Sequence, residues 1–209
     1  MSFKENGYKI VRNAISKDLL EYIKINSKIQ QDCIEFYRPK TIDNQFPNND
    51  EHIPNSYSWY STIHTEALSS FLKPMICDIT GKNLAQTYTY ARTYYSGAEL
   101  TKHTDRGSCE YSVTFCLDKG TVDWPIYLED ISGNEIEVEL YDGDMIVYMG
   151  VLLPHWRKIY EGDSNGHRQI FMHYVDLDGE FAKFKYDTRP LLALGSSERR
   201  IDTTQVIDL

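Results

Sequence analysis

The sequence predicts an α+β fold: helices first, then a two-sheet jelly roll. Three observations carry this. Apolar residues recur at helical spacing in residues 15–29 and again in about 65–78. From residue 86 the text changes to six short runs rich in Thr, Tyr, Val and Ile, each bounded by turn signals. The 209 residues, 41% of them hydrophobic, are enough to bury one core of this kind.

Taken in order, residues 7–12 read as a short strand. Ser16 is placed to cap a helix whose stripe is Ile15, Leu19, Leu20, Ile23 and Ile25, running toward Ile29. Residues 36–61 carry Pro39, Pro47, Pro54 and the aromatics Phe46, Tyr57, Trp59 and Tyr60. They read as a long irregular loop, of the kind that either meets a ligand or packs on its own side chains. A second helix over about 65–78 should kink at Pro74. Strands are expected at 86–95, 110–117, 124–128, 136–140, 145–148 and 169–175. Asp118-Lys119-Gly120, Ser132-Gly133-Asn134, Asp142-Gly143-Asp144 and Asp163-Ser164-Asn165-Gly166 mark turns between them. The tail after Asp178 reads as weakly structured. The organisation expected is one domain over 1–209. It comprises an N-terminal helical support and loop (1–85), a jelly-roll catalytic core (86–176) and a C-terminal extension (177–209), with the helices packed on one sheet.

The formal net charge is −9 and no basic face is visible, so no nucleic-acid partner is expected. No run approaches the ~18 apolar residues that span a bilayer, and the first residues lack an apolar signal core. A soluble, cytoplasmic protein is expected. Cys33, Cys77, Cys109 and Cys116 form no CxxC. Cys109 and Cys116, read as members of one strand, would lie about 23 Å apart, too far for a disulfide. All four read as reduced, mostly buried small hydrophobes.

His103-Thr104-Asp105 is the pivotal motif. Two residues apart on a strand, an imidazole and a carboxylate face the same way and can take adjacent positions on one metal. His155, just after the strand 145–148, is the third candidate; His167 and His173 compete for that role. Two histidines and a carboxylate on one face of an octahedron leave three positions open, an arrangement suited to Fe(II) and O2.

Around this motif the sequence resembles the 2-oxoglutarate/Fe(II)-dependent oxygenase superfamily, nearest to its prolyl 4-hydroxylase-like branch. Tyr94-Tyr-Ser-Gly97-Ala-Glu-Leu100-Thr-Lys-His103-Thr-Asp105 is similar to that branch's Tyr-x-x-Gly-x-x-Tyr-x-x-His-x-Asp, with Leu100 in place of the second Tyr. Gly143-Asp144-Met-Ile-Val-Tyr followed by His155 resembles the strand leading to the distal histidine. The resemblance covers about 86–175 and implies a double-stranded β-helix, cupin-like core. It implies Fe(II) on His103, Asp105 and His155, with 2-oxoglutarate and O2 as co-substrates. Arg168 would anchor the far carboxylate of 2-oxoglutarate, and Tyr94, Tyr174 and Thr114 would help hold it. The gap from His155 to Arg168 is longer than in that branch, which leaves Arg157 and Lys158 as alternatives. Arg92, on the same strand face as Tyr94, together with Cys116 and Trp59, would meet the prime substrate, as would the loops 36–61 and 120–125.

The implied reaction is hydroxylation of an unactivated C–H, of a peptidyl residue or of a small amino-acid-like molecule. A carboxylate at Asp105 speaks against a halogenase, which leaves that position open for halide. Two other classes stay open: a cupin-like metalloenzyme that does not use 2-oxoglutarate, and a non-enzymatic β-sandwich binding module.

Overall fold

The computed structural model describes residues 2–37, 53–163 and 165–189. Phe3–Asn6 (α1) is a single helical turn ended by Gly7 in the left-handed conformation, and Tyr8–Val11 (β1) follows. Lys17–Tyr37 (α2) starts where Ser16 predicts: the Ser16 hydroxyl accepts the Leu19 N–H at 3.3 Å. Ile23 is buried and Leu19 and Leu20 pack against the core, while Ile25 and Ile29 face solvent, so the apolar stripe is narrower than the sequence suggested. Ile63–Thr80 (α3) continues through Pro74 and ends at a left-handed Gly81.

The remaining strands are Ser56–Tyr60 (β2), Leu84–Tyr94 (β3), Leu100–His103 (β4), Tyr111–Asp118 (β5), Ile126–Glu129 (β6), Glu135–Val138 (β7), Met145–Tyr148 (β8), His155–Arg157 (β9) and His167–Asp176 (β10). They form a six-stranded sheet ordered β1-β8-β5-β10-β3-β2 and a four-stranded sheet ordered β4-β9-β6-β7. All pairings are antiparallel. From β3 onward the chain crosses repeatedly between the sheets, β6 and β7 being the one adjacent pair that stays together. This is a double-stranded β-helix, with β1 and β2 added at the two edges of the larger sheet.

Two apolar layers hold it. Beneath the helices, Leu68, Leu72 and Ile76 of α3 pack on Ala91, Ile170, Met172 and Tyr174. Between the sheets lie Cys116, Ile126, Leu128, Val138, Ile146 and Leu153. Burying each such side chain stabilises the fold by about 1.5–3 kcal/mol before the entropy of ordering it is subtracted.

Three expectations need correction. The stretch 56–60 is not loop but an edge strand: it pairs with β3 from Ser56↔Tyr94 to Tyr60↔Tyr90. Residues 38–52 of the expected loop lie outside the described residues. Cys109 is not on the β5 strand but in the 3-10 turn Gly107–Cys109 before it. The tail is ordered through Arg189: Ala182–Thr188 forms short 3-10 turns against β3 and β10. Cys77, Cys109 and Cys116 are free thiols. Among the described residues no helix is long and apolar enough to cross a membrane.

Candidate metal centre

β4 and β9 pair so that His103 lies directly across from His155. This register, not the loop between them, brings two histidines 52 positions apart in sequence to a ring separation of 4.3 Å. Each ring is turned by its own backbone. His103 Nδ1 is 2.8 Å from the Thr101 carbonyl and His155 Nδ1 is 2.9 Å from the Leu153 carbonyl. Each Nδ1–H donates to that oxygen, which leaves both Nε2 lone pairs aimed at one point. Asp105 lies beyond the end of β4, so the strand pleat does not place it. Its N–H instead donates to the Gly150 carbonyl at 2.9 Å. Asp105 Oδ1 then stands 3.8 Å from His103 Nε2 and 3.7 Å from His155 Nε2. Two ligands about 2.1 Å from a metal at right angles are about 3 Å apart, so the three atoms need only a small inward shift to hold one divalent ion. Their ligand atoms all lie within 4.8 Å of one another. Burial pushes the His155 imidazole toward its neutral, ligating form.

The other carboxylate oxygen is occupied. Ser112 Oγ donates to Asp105 Oδ2 at 2.6 Å and sits 2.9 Å from His173 Nδ1. A Cβ at Gly150 would collide with Asp105 Oδ2, the Cys109 carbonyl and Ser112 Oγ, so only glycine leaves room for this packing.

The three ligand candidates line a cavity of about 320 Å³. Its walls carry Tyr60, Tyr88, Tyr90, Arg92, Tyr94, Leu100, Arg106, Thr114, Tyr148, Phe171 and His173. At its rim the Tyr60 hydroxyl donates to Asp187 at 2.6 Å, and Arg106 Nη2 reaches both Asp187 oxygens at 3.2 Å. Tyr186, Asp187 and Thr188 all have positive φ, between 50° and 55°, so these contacts hold a strained turn in place.

Arg157 pairs across from Leu100, two residues past His155 on the same face of β9. Its side chain is fully buried; one Nη donates to the Trp124 carbonyl and the guanidinium stacks 4.6 Å from the Trp124 ring. Among the described residues no carboxylate pairs with it, and its Nε has no hydrogen-bond partner. Burial pulls its pKa down to about 10. A buried cation without a counter-charge is costly unless a ligand supplies one. The phenols of Tyr94 and Tyr148 are near enough to act on it electrostatically. An imidazole–imidazole–carboxylate face with a buried guanidinium one strand step away therefore suits a divalent metal carrying an anionic chelator.

Neither a protein-family model nor a curated protein sequence matches the chain. Solved structures do. A prolyl-4-hydroxylase from Pseudomonas putida superposes with a TM-score of 0.62 at 14% identity, over 83% of this chain and 95% of that one. HygX from Streptomyces hygroscopicus, solved with nickel, 2-oxoglutarate and hygromycin B bound, gives 0.62 at 11% identity over 84% and 85%. A Trichoplax adhaerens prolyl hydroxylase, in complex with a hypoxia-inducible-factor peptide fragment, gives 0.61 at 14% identity over 88% and 87%. The chain has the 2-oxoglutarate oxygenase fold.

On this oxygenase fold the residues singled out from sequence divide by strand face. His103, Asp105, His155, Tyr94, Thr114 and Arg92 all border the one cavity. Arg157, Arg168 and Tyr174 are not among its lining residues. Along β10, Phe171 and His173 face the cavity, whereas Arg168 shares the opposite face with Ile170, Met172 and Tyr174. Tyr174 is tied to α3, its hydroxyl bonded to both the hydroxyl and the carbonyl of Ser69 at 2.8 Å. Trp59 likewise belongs to the core under the helices, edge-on to Tyr57, and its neighbour Tyr60 reaches the cavity instead. Cys116 is buried between the sheets, where burial pushes its thiol up to about 12. Of the rival histidines, His167 donates its Nδ1–H to the Lys119 carbonyl and accepts from Gln169 Nε2. His173 bonds Ser112. Lys158, the other alternative, is exposed and lies over the Tyr127 ring.

Sequence reasoning missed Ser112 and Gly150, which carry no motif. Arg157, an alternative to Arg168 in the sequence, stands two residues from His155 and so shares its strand face.

Proposed function

We propose that the chain is an Fe(II)- and 2-oxoglutarate-dependent dioxygenase. It hydroxylates an unactivated C–H, of a peptidyl residue in the manner of a prolyl 4-hydroxylase or of a small amino-acid-like molecule. One observation carries the reading: His103, Asp105 and His155 converge on a single point, and the buried, uncompensated Arg157 stands on the same strand face as His155. His103, Asp105 and His155 would hold the iron. Arg157 would take the far carboxylate of 2-oxoglutarate through a planar pair of N–H donors, with Tyr94 and Thr114 beside it. This replaces Arg168 and Tyr174 in those roles.

Bound together, iron and 2-oxoglutarate supply the activation of O2 that C–H hydroxylation requires. The chain's own side chains do the rest by positioning. The Thr101 and Leu153 carbonyls fix the two imidazole tautomers. Tyr60, Tyr88, Tyr90 and Phe171 form an aromatic wall that displaces water around the substrate. Arg92 lies over the rings of Tyr90 and Tyr94 and donates to the Tyr90 hydroxyl at 3.3 Å, where it would meet the substrate. Likeness to two prolyl hydroxylases supports a peptide substrate. The cytoplasmic setting belongs to the same proposal, and the free Cys77, Cys109 and Cys116 support it.

The test is anaerobic titration of the Fe(II) protein with 2-oxoglutarate, followed by admission of O2. A new visible absorption band and succinate release are expected, and both should vanish in His103→Ala and Asp105→Ala. Iron uptake with no spectral response to 2-oxoglutarate would favour the cupin-like metalloenzyme. A chain that takes up no Fe, Mn, Ni or Zn would favour the binding module.

A further inference from the structure

We infer that Ser112 and His173 are positioning residues that keep Asp105 a one-oxygen ligand, so that three metal positions stay open. The inference rests on the metal reading above and adds residues that the ligand set alone does not name.

The chain of contacts is short. Ser112 Oγ has one proton, and three acceptors compete for it. Asp105 Oδ2 is at 2.6 Å, His173 Nδ1 at 2.9 Å and the Cys109 carbonyl at 3.2 Å. The carboxylate is the nearest and the strongest acceptor of the three. For Ser112 to donate there, His173 must present Nδ1–H, which Ser112 then accepts. The tautomer of His173 therefore sets the direction of the Ser112 hydroxyl. With the opposite tautomer the hydroxyl would turn to the imidazole, and Oδ2 would be released.

Release matters because of where Oδ2 lies. Oδ1 is the oxygen near both Nε2 atoms, at 3.7 and 3.8 Å. Oδ2 is held back against Gly150, where no side chain fits. A free Oδ2 can rotate in and bind the same ion, which closes one position. A chelating co-substrate and O2 need three. His173 is itself held: it is buried and packs against the Tyr88 ring at 4.6 Å, and its ring cannot easily turn. Tyr88 in turn bonds Cys109 Sγ at 3.2 Å, which closes the far side of the cluster.

The experiment uses Mn(II) as probe, in the full chain without 2-oxoglutarate. It reads two quantities: the dissociation constant and the water-proton relaxation enhancement, which reports how many water molecules the ion still carries. Wild type should keep three waters. Ser112→Ala should bind Mn(II) about ten- to a hundredfold more weakly and lose about a third of the enhancement, because the second carboxylate oxygen displaces one water. His173→Asn can place an amide N–H where Nδ1 stands and should keep the wild-type enhancement, whereas His173→Asp, which offers only acceptor oxygens there and draws the Ser112 hydroxyl off Asp105, should behave as Ser112→Ala. The His173 pair decides the matter if Ser112→Ala does not fold. A role confined to packing would lower thermal stability and leave relaxation per bound ion unchanged. That result in Ser112→Ala and His173→Asp overturns the inference while leaving the metal reading intact. A wild-type chain that takes up no Mn(II) overturns the metal reading, and the inference with it.

Discussion

Arg157 and Arg168 differ by eleven positions in sequence and lie on different sheets, Arg157 on β9 and Arg168 on β10. Arg157→Gln should weaken 2-oxoglutarate binding at least a hundredfold, since a charge-assisted pair in a water-free site is lost. The same variant should leave the apo protein as stable as wild type or more so, because a buried charge without a partner is removed. Arg168→Ala should leave 2-oxoglutarate affinity within about twofold. Calorimetric titration of both variants decides between them, and the reverse ranking would discard Arg157 as the anchor. The sequence made the candidate metal ligands legible because His103 and Asp105 are neighbours in a recognisable frame. It favoured Arg168 for its place at the start of a strand and offered Arg157 only its spacing of two from His155. Which face of β10 points inward depends on register across β3 and β5, and a one-residue slip exchanges the faces.

At the scale of elements, the strongest statements concern β10 and its support. Tyr174 joins this strand to α3 through Ser69 and takes no part in the cavity. Tyr174→Phe should cost about 1 kcal/mol of stability and leave both Mn(II) and 2-oxoglutarate affinity unchanged. A loss of co-substrate affinity in that variant would return Tyr174 to the site. The long strands and both long helices were readable from apolar period. The short ones were less so. β2 is framed by proline and asparagine and has only five residues; it is a strand because the edge of β3 offers it partners. β9 has three residues, too few for any period to register, yet it carries His155 and Arg157.

For the whole molecule, acid should be the weak side. Burial, reinforced by the Arg157 cation, lowers His167 to about 3, and burial lowers His173 to about 4. The unfolded chain holds both near 6.5. Between those values the unfolded state binds more protons, so stability is complete above about pH 6.5 and is lost as pH falls toward 4. Each histidine contributes a slope of about 1.4 kcal/mol per pH unit in that window. Urea unfolding from pH 7 to 4.5 should show this. His167→Asn, which keeps the donor to the Lys119 carbonyl but cannot protonate, should flatten the slope by its own share, about 1.4 kcal/mol per pH unit. Parallel slopes for the two proteins would contradict the assignment.

The crossing of the chain between two sheets has a consequence in time. β4 finds β9 only after more than fifty further residues exist, and β10, late in the chain, is the strand that joins β5 to β3. Contacts so distant along the chain form late and slowly. The pairing that sets His103 against His155 is one of these late contacts. Under the proposed function, iron would be taken up by a finished barrel, a seal placed on it rather than a seed around which it grows.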